Sequence, residues 1–368
     1  MSKVDEVIND AINEPKKKKE KTIIDYFSSG CKILDLNLGG GYAKGRMVNI
    51  VGDKSTGKTL LTVESLVCNK IKNKDLKIIY DDAEAGFNFN TKAIYGIEIY
   101  NENYSHSSTI EDFDLNFQRE IKKVKENQEA IYVLDSFDAI GSLDEVEKRN
   151  SNRKLRLKGE KEKGDYGMIK QKKSGEFFKD FIKEMRNKDV SLFIISQVRE
   201  NIRVMFGEKY RRSGGKALDF YAAQIIWLAV CEKIIKNGIV IGVRIKVQVK
   251  KNKVGYPFTE CFIDILFDYG IDNITSNIYY LFDLLDAQGK LKKVKKQKKE
   301  DGENEDEIEK KEDKKPKLEF NNEKFSSVEE LVFYIEQNNL KELLENQVEE
   351  KFLKIRDTIS TKNRMRKY

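Results

Sequence analysis

The chain has 368 residues, of which 39% are hydrophobic and 36% charged, with a formal net charge of +7. That length accommodates one large domain or two ordinary ones, and the supply of Ile, Phe and Tyr excludes a globally disordered chain. A single histidine, His106, and four scattered cysteines with no C-x-x-C pair exclude a His/Cys zinc site and histidine-dependent nucleophilic catalysis, while the positive surplus suits an anionic partner. At the N-terminus, Val4, Val7, Ile8, Ala11 and Ile12 fall at helical spacing ahead of the basic run Lys16–Lys19. Residues 1–27 therefore read as an amphipathic oligomerisation helix on a tether, with a frayed tail as the plainer alternative. The opening residues lack an apolar signal-peptide core, and no stretch approaches the ~20 apolar residues of a membrane span, so a cytoplasmic protein with no membrane partner is expected.

Beyond residue 28 short apolar runs recur: MVNIV at 47–51, KIIY at 77–80, AIYVL at 130–134 and SLFIIS at 191–196. Segments with helical spacing lie between them, the alternation of parallel strands and crossover helices. IIWLAVC (225–231), IVIGVRIKVQV (239–249) and CFIDILF (261–267) follow with little helical pattern between them, and predict an antiparallel extension of the same sheet. The expected fold is α/β, a core over 28–270 with a central, mostly parallel sheet. Residues 271–368 are expected to form a small α-rich C-terminal domain, interrupted by a mixed-charge, solvated insert at 292–317. After the insert, Ser327 and Glu330 have capping-box spacing ahead of an apolar helical face.

The sharpest motif is Gly52-Asp53-Lys54-Ser55-Thr56-Gly57-Lys58-Thr59, a complete G-x-x-x-x-G-K-[ST] between a strand-like and a helix-like run. Its backbone N–H groups and helix N-terminus would cradle phosphates. Lys58 would reach the β/γ-phosphates, and the Thr59 hydroxyl would bind Mg²⁺. Asp135, at the end of AIYVL, is the expected second Mg²⁺ partner. Hydrolysis needs a group to activate water, and Asp81, Asp82 and Glu84 cluster after KIIY, with Glu84 the best placed. Gln197 ends SLFIIS, where an amide could sense the γ-phosphate.

Residues 147–173 hold eleven basic and four acidic side chains, a surplus of seven that equals the net charge of the whole chain. This concentration reads as a surface for phosphate backbones, with Lys170, Lys172 and Lys173 at its end; the alternative is a solvated loop. A second segment mixes Arg199, Ile202, Arg203, Val204, Met205, Phe206 and Gly207, followed by Arg211, Arg212, Gly214 and Gly215. Apolar residues interleaved with arginine can pack on unstacked bases, and equally can form a folded hairpin.

Together these segments resemble the RecA family of recombinases. Ser29-Gly30-Cys31, Leu34-Asp35-Leu36 and Gly45-Arg46 lead into the phosphate loop as in that family. Asp82-Ala83-Glu84 is similar to its D-A-E segment, and Leu134-Asp135-Ser136 to its metal-coordinating strand end. Gly164-Asp165-Tyr166-Gly167-Met168 resembles the first DNA-binding loop, which implies DNA contacts from Met168 and Ile169. Gln197-Val198-Arg199 and Val204-Met205-Phe206-Gly207 resemble the second, so two DNA loops are expected at about 147–175 and 197–215. Gly214-Gly215-Lys216-Ala217-Leu218 and Phe220-Tyr221-Ala222 resemble the end of that loop and the following helix, which implies that Phe220 couples subunits. Lys251-Asn252-Lys253 resembles the segment that carries two lysines into the adjacent subunit's ATP site. The resemblance implies ATP and Mg²⁺ as cofactors, single-stranded and duplex DNA as partners, self-assembly into helical filaments, and DNA-dependent ATP hydrolysis coupled to strand exchange. A hexameric helicase or motor and a binding-only filament-forming mediator are the rival readings. The pattern departs from the family at Thr91, where a base-stacking tyrosine is expected seven residues past Glu84; Phe89 and Tyr95 are the nearest aromatic substitutes.

Overall fold

The computed structural model describes residues 24–87, 90–99, 106–161, 169–200, 210–212, 215–292 and 318–359. The expected N-terminal helix and the charged insert beyond Lys292 lie outside the described residues.

Strands β1 (Tyr26–Phe27) and β2 (Tyr42–Ala43) pair antiparallel across helix α1 (Lys32–Leu38). The phosphate-loop unit follows as β3 (Met47–Gly52) and α2 (Lys58–Lys72), then β4 (Lys77–Asp82), the short α3 (Thr91–Tyr95), α4 (Ile110–Lys122) and β5 (Ala130–Asp135). Next come α5 (Leu143–Leu157), α6 (Ile169–Asn187), β6 (Val190–Glu200), β7 (Tyr210–Arg212) and α7 (Gly215–Tyr221). The chain continues through β8 (Gln224–Lys236), β9 (Ile239–Asn252), β10 (Glu260–Leu266), β11 (Gly270–Asp272) and α8 (Asn273–Leu281). It ends in a hairpin of β12 (Leu318–Phe320) and β13 (Glu323–Phe325), then α9 (Val328–Gln337) and α10 (Lys341–Thr358).

The main sheet runs β11-β10-β9-β8-β3-β6-β5-β4, with β7 added to β6. β8, β3, β6, β5 and β4 are mutually parallel, and β9, β10 and β11 extend the sheet antiparallel. This is the parallel core and antiparallel extension that the apolar runs predict. Side chains of a strand alternate between faces, so each strand feeds two cores. Val48, Ile50, Ile131 and Val133 pack with α1 and α2, and Met47, Val51, Tyr132 and Leu134 pack with α4 and α6. The second core is aromatic: Phe117 and Phe181 have ring centroids 4.1 Å apart, and Phe113 meets Phe181 edge-on at 5.3 Å.

The predicted boundary at 270/271 falls inside β11, and the first core continues across it. Leu318, Phe320, Leu331, Ile335, Leu344 and Val348 belong to the same apolar cluster as Leu34 and Leu61. Polar contacts reinforce the join: Lys32 pairs with Glu349 at 2.7 Å, and Asn273 Nδ2 donates to Glu345 at 2.9 Å. At the start of α9 the Ser327 hydroxyl accepts from Glu330 N, while the Glu330 carboxylate reaches back to Ser326 rather than to Ser327.

Two segments expected as loops carry regular structure. Within 147–175, α5 and the start of α6 are helical, because Ser142 and Glu145 form a full capping box and no proline interrupts the run. Within 197–215, β6 continues to Glu200 and pairs with β7, Val198 opposite Arg212, while residues 201–209 lie outside the described residues.

Candidate nucleotide site

Parallel strands bring their carboxyl ends to one edge, where α/β sheets bind ligands. In register, Gly52 of β3 lies beside Gln197 of β6, and Asp82 of β4 beside Asp135 of β5. The phosphate loop leaves β3 at that edge and enters α2 through Gly57, which adopts φ 81° as the N-cap. A Cβ there would meet only the movable end of the Ile265 side chain, Cδ1 at 2.5 Å, so it is the left-handed turn that requires glycine.

Lys58 is buried and its ammonium donates to the Asp53 carbonyl at 2.6 Å, across the mouth of the loop. Burial pushes its pKa down, while Asp135, Glu84, Asp53 and Asp138 push it back up. Thr56 Oγ1 also donates to the Asp53 carbonyl, at 2.9 Å, which fixes the loop's shape. Thr59 Oγ1 donates to Asp135 Oδ2 at 2.8 Å, and Tyr80 OH donates to the same oxygen at 2.8 Å. Burial raises the Asp135 pKa, and those two donors partly offset it. A hydroxyl and a carboxylate side by side are hard oxygen donors that fit Mg²⁺. A cavity of about 360 Å³ opens beside the loop, walled by Ser55–Leu60 and by Val243, Ile265 and Phe267. The loop, the donor pair and this partly apolar wall together fit a Mg²⁺–nucleoside triphosphate.

The three carboxylates after β4 have separate fates. Asp81 is buried and accepts from Ser107 N (2.9 Å), Ser107 Oγ and Tyr132 OH (2.6 Å). Asp82 ties its own turn by accepting from Gly86 N and Phe87 N. Glu84 is exposed at the edge, and its Oε1 accepts from Ser136 Oγ and, at 2.9 Å, from Gln197 Nε2. The Gln197 backbone N–H in turn donates to Asp138 Oδ2 at 2.7 Å. Tyr80, Ser136 and Asp138 thus support the site, and Val243, Ile265 and Phe267 wall it. Of these six, only Ser136 has a place in the sequence reading of the site, within the strand end Leu134-Asp135-Ser136. Phe267 carried a usable signal, an aromatic closing the run CFIDILF, but not which element it would face.

Thr91 is buried, and its hydroxyl accepts from Ile99 N at 3.2 Å, so it is a structural residue of that turn. Tyr95 donates to Glu64 at 2.7 Å, and Phe89 lies outside the described residues. The aromatic ring that does wall the cavity is Phe267.

Lys251 and Lys253 stand at the opposite edge of the sheet. Asn252 pairs with Gln224, which lies beside Val48, four residues before Gly52. At ~3.3 Å per residue that is roughly 13 Å from the phosphate loop along the strand. Both ammonium groups donate to the Phe220 carbonyl, at 3.2 and 3.1 Å, and Lys251 also to that of Asp219. Phe220 itself is 70% exposed. The structure therefore gathers Lys251, Lys253 and Phe220 into one surface cluster and keeps them from their own loop.

The lysines of α6 are unequal. Lys170 donates to the Phe137 and Ile140 carbonyls at 2.5 and 2.6 Å, and Lys173 pairs with Glu111 at 2.6 Å and Asp144 at 2.7 Å. Those two are engaged with the fold itself, whereas Lys172 is exposed. Met168, Ile202, Arg203, Val204, Met205, Phe206, Gly207 and Gly214 lie outside the described residues. Ile169, Arg199, Arg211, Arg212 and Gly215 are placed by backbone only, in α6, β6, β7 and α7.

A parallel sheet carrying this loop, lysine and hydroxyl–carboxylate pair at its carboxyl edge defines the P-loop nucleotide-binding class. A family model described as RecA N-terminal domain matches residues 7–272. Protein RecA of Mesoplasma florum is 32% identical over 268 residues, which covers 72% of this chain and 75% of that protein. Protein RecA of a Synechococcus species is 30% identical over 267 residues, 72% of this chain and 65% of that protein. The chain belongs to the RecA family, P-loop ATPases of DNA recombination and repair. The crystal structure of the RadB recombinase is also similar, with a TM-score of 0.45 and 19% identity over 67% of this chain and 98% of that one.

Proposed function

We propose that this protein is an ATP-dependent recombinase that assembles as a helical filament on single-stranded DNA and pairs that strand with homologous duplex DNA. The observation that carries the reading is the 2.9 Å hydrogen bond between Glu84 and Gln197. It ties a carboxylate suited to water activation to the strand that runs on into the Arg- and apolar-rich segment 199–215. A ligand that moves that segment can alter the geometry of hydrolysis.

The residue roles follow. Gly52–Thr59 would cradle the phosphates, with Lys58 neutralising their charge. Thr59 and Asp135 would hold Mg²⁺, which when bound screens the phosphate oxygens. Glu84 takes a proton from the attacking water, and Gln197 reports the state of that site to the DNA side. Phe267 supplies an apolar face for the base. Lys251 and Lys253, remote from their own loop, serve the site of the adjacent subunit, where positive charge stabilises the transferring phosphoryl group; Phe220 stands at the same interface. Met168, Ile169 and Lys172 on one side, and Arg199 to Gly215 on the other, contact single-stranded DNA.

The test is strand exchange with ATP and Mg²⁺ between a labelled single strand and a duplex. Transfer to a homologous duplex but not to a heterologous one is expected. DNA-stimulated hydrolysis with strand separation but no homology dependence would instead indicate a motor, and filaments without exchange a binding-only mediator.

A further inference from the structure

Helix α5 has no buried residue along its fifteen positions, so packing does not explain its presence. Its acidic end is consumed by anchoring. Glu145 accepts from Ser142 N at 3.0 Å, Asp144 pairs with Lys173 at 2.7 Å, and Leu143 N donates to Glu111 at 3.0 Å. The remainder projects from that anchor. Beyond the anchor the helix carries Lys148, Arg149, Arg153, Lys154 and Arg156 against Glu147, and Lys158, Glu160 and Lys161 follow its end. Arg149, Arg153 and Arg156 follow i, i+4, i+7 spacing, which sets them on one stripe of the helix about 10 Å long, and all three are exposed. The helix dipole favours cations in the last turn, which covers Lys154 and Arg156 but not Arg149 and Arg153.

We propose that this arginine stripe docks duplex DNA through its phosphates. Charge complementarity selects a polyanion, and the composition of the helix selects the duplex. α5 contains no aromatic residue, and grooves for single strands combine positive charge with aromatic rings on which bases stack. A duplex hides its bases and offers a regular rail of phosphates, which the stripe of a helix can meet without reading them. The proposal deepens the recombinase reading by giving the incoming duplex a contact separate from the segments that hold the single strand.

The test compares the full chain with Arg149→Ala/Arg153→Ala/Arg156→Ala and with the same three sites changed to Lys. The probe is a labelled 30-base-pair duplex of arbitrary sequence, offered to free protein and to protein assembled on single-stranded DNA with a slowly hydrolysed ATP analogue. The alanine variant is expected to bind duplex at least about tenfold more weakly. Its log K against log[salt] slope should be shallower by up to about 2.7, near 0.9 per lost phosphate contact. The lysine variant should keep most of the affinity, since a phosphate contact needs only charge. Single-stranded DNA binding and the ATP hydrolysis it stimulates should stay within twofold in both variants. Unchanged duplex affinity and salt slope would overturn the proposal. So would an equal loss for single-stranded DNA, which would make α5 part of the single-strand site. These binding readouts do not require strand exchange, so a failure of the recombinase reading leaves them distinguishable.

Discussion

The phosphate-loop edge and helix α5 both present cations suited to phosphates, yet they are built on opposite terms. At the edge, Lys58 and Asp135 are buried, and the fold supplies their partners: the Asp53 carbonyl for one, Thr59 and Tyr80 for the other. On α5 the arginines of the stripe are exposed, and none of the helix's residues is buried. A buried charge must be paired and aimed, so moving one atom there changes the chemistry. Exposed charges act through their number and the salt concentration, and each is worth little alone.

That contrast orders the expected effects. The largest is Glu84→Gln, which keeps size and hydrogen bonding but cannot take a proton. Hydrolysis should fall by about 10²–10⁴-fold while ATP and DNA still bind; near-normal turnover would make another group the base, although Asp81 and Asp82 are already committed to Ser107, Tyr132 and the following turn. Next is Lys251→Ala/Lys253→Ala, with a loss of about 10³-fold if the pair acts like a cation supplied in trans. Mixed with Lys58→Ala protein, it should regain part of its activity, since a mixed interface contains one intact site; no recovery despite co-assembly on DNA would end the shared-site idea. Lys58→Ala alone should cost on the order of 10²–10³-fold, read by ATP hydrolysis with single-stranded DNA present. The smallest effect belongs to the rim. Ser142→Ala removes the cap of α5 and should cost the helix about 1 kcal/mol. Faster amide exchange over Leu143–Leu157, with an unchanged global unfolding midpoint, would show that α5 is held only at its anchor.

Much of the edge could be read from the sequence because its parts are local. The loop, its flanking strand and its helix lie within Met47–Lys72, and the four apolar runs correspond to β3, β4, β5 and β6. What escaped the sequence depends on partners far along the chain. Phe267 reaches the phosphate loop only because β10 lies across β9 and β8 from β3, and strand order carries no local signal. Asp138 became visible only when β6 was set beside β5, which brings it to the Gln197 backbone. Lys170 looked like a phosphate ligand by charge, but its ammonium is turned inward to the Phe137 and Ile140 carbonyls. The helical state of α5 was hidden for another reason. The helix's few apolar residues, Leu143, Val146, Leu155 and Leu157, give no sustained helical period, and its one local cue, the Ser142–Glu145 capping box, lies just before the basic block.

The central claim is that hydrolysis at Glu84 is coupled to DNA through Gln197. It is tested most directly by measuring ATP turnover with and without single-stranded DNA in the unchanged protein and in Gln197→Asn. That variant keeps the amide but draws it back by one methylene from the 2.9 Å contact. The account predicts strong stimulation by DNA in the unchanged protein. In the variant, ATP and DNA should both bind but turnover should remain at the DNA-free rate. Full stimulation of Gln197→Asn would contradict it.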